Sequence, residues 1–266
     1  QNQQWRNRDA LAFRSNKFNL QTEYALSQES KLLVSGGLTD VNRYDGPLTS
    51  VTIGANSFSQ GYASMAYERP NLFIRAYWYQ VNSTVDFVTN PLLANLLRVQ
   101  TLGGSSIADG PGNTYNIEAQ HSVQLGNANR VIYGVNYRLN NASNTFFSQF
   151  GVENRLGFYL QDEWRATQKL TLVAGARYDL DTFIQPTISP RVALLYTVIP
   201  DHTLHATFSI GYRPPTISNR FSSTLAVTSL PLPPPFNTAT NTIQGSTNLN
   251  PEQIISYEIG YQGWFW

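Results

Sequence analysis

"NRLGFYLQDEWRATQKLTLVAGARYD", residues 154–179, sets two apolar alternations on either side of a short polar break. Phe158, Leu160 and Trp164 recur at even spacing before the break; Leu170, Leu172, Ala174, Ala176 and Tyr178 do so after it. Successive side chains of an extended chain point to opposite faces, so each run reads as a strand with one apolar and one polar side. The break is short enough to join antiparallel neighbours directly. Asp162 falls on the apolar parity of the first run, an anomaly that simple alternation leaves standing.

The pattern recurs along the chain. "KFNLQTEYALS" sets Phe18, Leu20, Tyr24 and Leu26 against Asn19, Gln21 and Glu23. "RVIYGVNYRL" sets Val131, Tyr133, Val135 and Tyr137 against Arg130, Gly134, Asn136 and Arg138, and "HTLHATFSIGYR" repeats the design. About eleven such segments fall near 17–27, 29–39, 58–68, 72–83, 113–125, 129–140, 153–166, 169–182, 188–199, 202–213 and 252–264. Soluble strands average about 5–6 residues, whereas crossing a bilayer at a tilt takes ~9–11. These segments are of the longer kind. Tight polar turns ("SQES", "ERPN", "LGNAN", "ATQK", "IPDH") alternate with longer connections near 40–57, 84–112, 141–152, 183–187 and 214–251. Short turns on one side and long loops on the other describe an outer-membrane β-barrel.

Composition agrees. Charged residues are 13% of the 266-residue chain, against about 25% in a soluble domain. The polar faces carry Asn, Gln, Ser, Thr, Gly and scattered Arg, which suits an enclosed polar interior better than bulk water. Tyr24, Trp164, Tyr196 and Trp264 lie near turn-proximal ends, where an aromatic girdle belongs. No apolar run reaches the ~18 residues of a spanning helix. A net charge of +1 gives no basic footprint for nucleic acid. The absence of cysteine removes disulfides and thiolate-bound metals. The fold class is therefore all-β, an antiparallel transmembrane β-barrel, with 1–266 read as one barrel domain.

Enzymatic chemistry finds no footing. His121, His202 and His205 are too few and too scattered for an acid–base or metal set, and Ser209 stands about 13 Å along its strand from His205. No cofactor is expected. His121 shares the anomaly of Asp162, being polar on an apolar parity. In "NPLLANLLRVQ", Leu92, Leu93, Leu96 and Leu97 recur at helical spacing after Asn90 and Pro91, which predicts a short amphipathic helix over the barrel mouth. "PLPPPF" stiffens the last long connection.

"GFYLQDEWRATQKLTLVAGARYD", "ISPRVALLY", "DHTLHATFSIGYRPPT" and "GSTNLNPEQIISYEIGYQGW" occur in an order that resembles TonB-dependent outer-membrane receptors. The resemblance is strong over 154–266, moderate over 58–140 and weak before residue 45. It implies a 22-stranded barrel, an N-terminal plug inside it and a box that contacts TonB. About eleven strands are present and neither plug nor box is found, so a longer polypeptide or another chain is expected to complete the barrel. The implied activity is TonB-energised uptake of a scarce nutrient, such as a ferric siderophore, cobalamin or a glycan. A plug-less scaffold in an outer-membrane assembly and a passive porin are the alternatives. Outer-membrane lipid and lipopolysaccharide, TonB acting through the plug, a small molecule or metal chelate, and other outer-membrane subunits are the expected partners.

Two residue sets fall on the predicted lumen side. Gly134, Gly157, Gly175, Gly211 and Gly260 either leave room for a plug or relieve bends in coiled strands. The charged set is Arg75, Arg138, Arg155, Arg177, Asp179, Arg191, Arg213 and Glu258. Of these, Arg138, Arg155, Asp179, Arg191 and Arg213 lie toward the extracellular ends, with Tyr77 and Tyr79 in the same zone. They form a basic rim for an anionic chelate, an internal ion-pair ladder, or contacts that hold a plug.

Overall fold

The computed structural model describes residues 14–47, 53–86, 97–101, 107–229 and 233–264. Its strands are β1 (Ser15–Ala25), β2 (Lys31–Pro47), β3 (Ile53–Arg69), β4 (Leu72–Asp86), β5 (Leu97–Thr101), β6 (Ile107–Leu125) and β7 (Asn129–Ala142). β8 (Gly151–Arg165), β9 (Leu170–Asp181), β10 (Thr187–Ile199), β11 (His202–Arg213), β12 (Ser223–Ser229), β13 (Thr238–Gln244) and β14 (Glu252–Gly263) follow. Among the described residues one helix, α1 (Ile217–Phe221), precedes β12. Eleven strands make a single antiparallel sheet in the order β1-β2-β3-β4-β6-β7-β8-β9-β10-β11-β14. The eleven segments expected from alternation are these eleven strands.

All five short turns fall where expected. Gly126 takes a left-handed φ of 63° in the β6–β7 turn, a conformation that a side chain disfavours. Asp201 does the same between β10 and β11, as a short polar side chain tolerates.

Cross-strand register fixes the faces. One row of paired residues runs Tyr24, Leu32, Tyr67, Ile74, Ala119, Val135, Phe158, Tyr178 and Ile188 from β1 to β10. Every member is apolar or aromatic. The row begins one residue from the short turn of β1 and ends at the long-loop end of β10, so successive strands are staggered in one sense, as barrel strands are. From Trp164 to Asn154 this face of β8 covers roughly 33 Å of strand and, at a tilt of ~45°, about 23 Å of height, close to a bilayer's apolar band. Leu160, midway, is 58% exposed. Tyr24, Trp164, Tyr196 and Tyr261 ring this face near the short turns, and Tyr115, Tyr137 and Tyr178 ring it higher up.

The register of β6, β7 and β8 has no shift, so Asp162 and His121 stay on the apolar face. Each has a partner on β7: Asn129 Nδ2 donates to Asp162 Oδ2 at 2.6 Å, and His121 Nδ1 meets the Tyr133 hydroxyl at 3.0 Å.

The long connections differ from expectation. β2 continues to Pro47 and β3 begins at Ile53, so the loop expected over 40–57 is mostly strand. β4 and β6 likewise extend into 84–112. Above the apolar band both faces meet water, so Asp40, Ser59, Asn82 and Pro111 take the apolar-face positions and the alternation that signals a strand is lost. Leu97 lies in β5, paired with Thr228 of β12, and not in a helix; Leu92, Leu93 and Leu96 lie outside the described residues. β5, β12 and β13 form a separate three-stranded sheet from two different long connections.

Leu160→Arg places a cation at mid-height on the apolar face and is expected to destabilise the folded, lipid-inserted barrel by about 2–4 kcal/mol. Gln161→Arg, one residue away on the polar face, should change stability far less. Urea unfolding in phospholipid vesicles measures both.

Candidate functional site: the polar wall and its cap

The polar face is built in rows by the same register. Tyr77, Asn116, Arg138, Arg155 and Asp181 form one row across β4, β6, β7, β8 and β9. Tyr79, Thr114, Asn140 and Glu153 lie in the next row toward the long loops. Arg75, Glu118, Asn136, Gly157 and Asp179 lie in the row below. Every residue expected on the lumen side falls on this one face.

Most of its cations are neutralised in place. Arg155 donates from Nε to Asp181 at 2.8 Å and from Nη2 to Glu153 at 2.7 Å. Glu153, only 4% exposed, also accepts from the Asn140 amide, whose oxygen accepts from Thr114. Arg177 engages Asp179 at 2.7 Å, Arg75 engages Glu118 at 3.2 Å, and Arg213 engages Glu252 at 3.3 Å. The first of these sets is buried and the last is solvent-exposed, so their energetic weights differ widely.

Arg138 and Arg191 have no acidic partner among the described residues. Arg138 stands directly opposite Arg155, whose charge is already met by two carboxylates. Its Nε is buried without an acceptor. Beside it, Asn116 is 5% exposed and its Nδ2 is equally orphaned, while its oxygen accepts from Asn136 at 3.3 Å. Two neighbouring donors thus lack an acceptor, the local chemistry that a carboxylate, phosphate or other oxyanion would satisfy. Tyr77 lies under the Arg75 guanidinium at 5.9 Å, and the Tyr79 hydroxyl donates to Gln60 at 2.9 Å.

The glycines accommodate neighbours. A Cβ on Gly134 would strike the Tyr159 ring, one on Gly157 the Arg177–Asp179 pair, and one on Gly260 the imidazole of His205. Gly175 approaches the backbone of Leu160, and Gly211 alone of the five faces open space.

The long-loop end carries a cap. Ile217 and Phe221 of α1 are buried, and Ile217 sits where a side chain on Gly151 would be. Thr216 and Asn219 exchange hydrogen bonds as a capping box at the start of α1. The Arg220 guanidinium lies 4.6 Å over the Phe183 ring and donates to the carbonyls of Phe183 and Thr247. Backbone bonds from Ser148 to Phe221 and from Ser223 to Phe146 tie in the loop after β7. Three long connections are therefore knitted together. Between cap and wall lies a cavity of ≈ 470 Å³, with Asn140, Glu153, Arg155, Arg213, Thr216 and Ile217 among its lining residues. Sequence reading passed over α1 because Asn219 stands where a capping box usually has Glu or Gln. Among the described residues no cluster of His, Asp and Glu could hold a metal ion.

A one-face-apolar, one-face-polar, long-stranded antiparallel meander with capped long loops defines the wall of a transmembrane β-barrel. The chain belongs to the family described as TonB dependent receptor-like, beta-barrel, whose model matches residues 1–266. No curated protein sequence is similar enough to match. Among solved structures, the siderophore receptor PirA from Acinetobacter baumannii is similar at 13% identity and TM-score 0.67, over 95% of this chain and 41% of that one. A variant of the ferric enterobactin receptor PfeA from Pseudomonas aeruginosa, in complex with enterobactin, gives 12% and 0.68 over 94% and 41%. A variant of the Serratia marcescens hemophore receptor HasR, in complex with its hemophore HasA and heme, gives 15% and 0.65 over 94% and 42%. The chain thus spans about two-fifths of the length of these receptors, and what they share with it is the fold.

Arg155→Ala leaves Glu153 and Asp181 buried without their cation and is expected to lower stability by about 3–5 kcal/mol. Arg138→Ala breaks no ion pair and should leave stability nearly unchanged. Chemical unfolding of the two variants separates a structural arginine from a free one.

Proposed function

We propose that this chain is part of the wall and extracellular cap of an outer-membrane receptor that takes up a small anionic metal chelate with energy from TonB. Family membership supports the receptor architecture. β1 and β14 are the sheet's two edges, and their side chains are exposed on both faces, Ile259 reaching 88%. In hydrocarbon an unpaired strand edge costs several kcal/mol per unsatisfied backbone group, so further strands close the barrel on either side.

The observation that carries the ligand reading is the contrast among arginines. A wall that needed only internal ion pairs would leave none over, yet Arg138 and Arg191 have no acidic partner among the described residues. Arg155 and Arg177 have internal partners and serve mainly to hold the wall, while Arg213 is met by Glu252 in an exposed pair. A focused positive potential in a low-dielectric vestibule attracts anionic ligands. The related receptors named for ferric enterobactin and for a hemophore with heme make those two chelates the first probes.

Whole-cell uptake of radiolabelled iron from ferric enterobactin, and of heme, by cells expressing the full-length receptor tests the reading. Uptake of either chelate should occur with TonB and fail without it. In binding titrations, Arg138→Ala combined with Arg191→Ala should weaken affinity for the transported chelate by about tenfold or more, tenfold being the worth of one charged hydrogen bond. Unchanged affinity would reject the basic rim. Passive conductance through the receptor, with no dependence on TonB, would favour a porin instead.

A further inference from the structure

Two hollows lie one above the other on the outward face of β2, β3, β4 and β6. The lower, of ≈ 500 Å³, has Ala63 and Ala76 in its floor and Met65, Trp78, Tyr115 and Tyr137 among its walls. The floor is low because alanine stands beside large side chains: Ala63 pairs with Trp78, and Ala76 with Met65 and Ile117. Trp78 is held by a hydrogen bond from its indole Nε1 to Asn113 at 3.2 Å. Tyr115 and Tyr137 belong to the upper aromatic ring, so this hollow opens into hydrocarbon just beneath the extracellular interface. A cavity of ~150 Å³ already holds a benzene molecule, and this one has room for a length of alkyl chain.

The upper hollow, of ≈ 390 Å³, begins four residues further along the same strands, about 13 Å away. Its outward side chains include Ser59 paired with Asn82 and Ser57 paired with Thr84, with the carboxylates Asp40 and Asp109 at either end. Gly61 lies between the two hollows, with Leu38 leaning across it. No arginine or lysine lines the upper hollow. Neither carboxylate has an ion pair among the described residues. β3 and β4 separate Asp40 from Asp109, so the two stand at least ~14 Å apart and cannot share one ion.

We propose that the two hollows dock one lipopolysaccharide molecule. A chain of its lipid anchor fills the lower hollow, and its sugar hydroxyls meet Ser57, Ser59, Asn82 and Thr84. Divalent cations join its phosphates to Asp40 and, separately, to Asp109. Three features select this occupant. The lower hollow continues the lipid-facing band, so what fills it comes from the bilayer. The upper hollow sits on the long-loop side, at the leaflet where lipopolysaccharide lies. Carboxylates without a cation of their own face a phosphate-bearing layer, and a divalent cation with oxygen ligands from both partners resolves the like charge. The inference rests on the outer-membrane reading above.

Native mass spectrometry of the full-length receptor in detergent, with magnesium and equal amounts of deep-rough lipopolysaccharide and phosphatidylglycerol, tests it. One lipopolysaccharide should be retained per receptor, with at least about tenfold preference over the phospholipid, as for a charged hydrogen bond. EDTA should remove the preference, and so should Asp40→Asn combined with Asp109→Asn. Ala63→Leu combined with Ala76→Leu fills the lower hollow with side chains suited to a lipid-facing surface and should remove it as well. A heat-modifiable gel shift verifies that each variant folds. Equal retention of the two lipids, a preference for phosphatidylglycerol, or a preference that survives EDTA or either double variant would overturn the proposal. A receptor that fails to co-float with phospholipid vesicles would sink the outer-membrane reading itself.

Discussion

Hydrocarbon offers a peptide group nothing to bond with, so each backbone N–H and C=O of a spanning segment must find its partner in the next strand. That constraint orders the rest of this chain. From β3 through β9 the register runs without a shift. Because the side-chain period is two, an unbroken register leaves no freedom over which face a residue takes. Asp162 is the clearest consequence. Local chemistry would turn it away from the apolar side, but the ladder holds it there and Asn129 is its compensation.

The same rule assembles the polar wall. Residues far apart in sequence become neighbours because their strands pair, so Arg155 and Asp181, 26 positions apart, meet at 2.8 Å. Burial then separates the arginines by role. Arg155 sits between two carboxylates that are almost wholly enclosed, where loss of the cation is costly. Arg213 and Glu252 are mostly exposed, where an ion pair contributes little. Arg138 and Asn116 retain unmet donors in the middle of the wall. The cap of α1 packs onto the wall from the long-loop end, with Ile217 and Phe221 buried against Gly151.

How much of this was legible depended on where a residue sat relative to the bilayer. Inside the apolar band, alternation was enforced by hydrocarbon on one side and the polar interior on the other, so Phe158, Leu160 and Trp164 announced their strand at once. Above the band that contrast vanishes, and Asp40 and Ser59 gave no sign that β2 and β3 continue. Leu97 misled because a run of leucines at helical spacing says nothing about the distant strand β12 with which it pairs. The polar face of the arginines followed from parity alone. Their partners did not, because an ion pair across strands requires the register, and no local pattern in the sequence carries it.

The most direct test of the account uses the absence of native cysteine from the chain. Single nitroxide labels placed one at a time from 154 to 164 in the full-length, lipid-reconstituted receptor would report oxygen against aqueous-reagent accessibility at each position. The account predicts strict period-two alternation, with the even positions lipid-exposed, 162 included. Accessibility without that alternation, or with its phase reversed after 160, would contradict it.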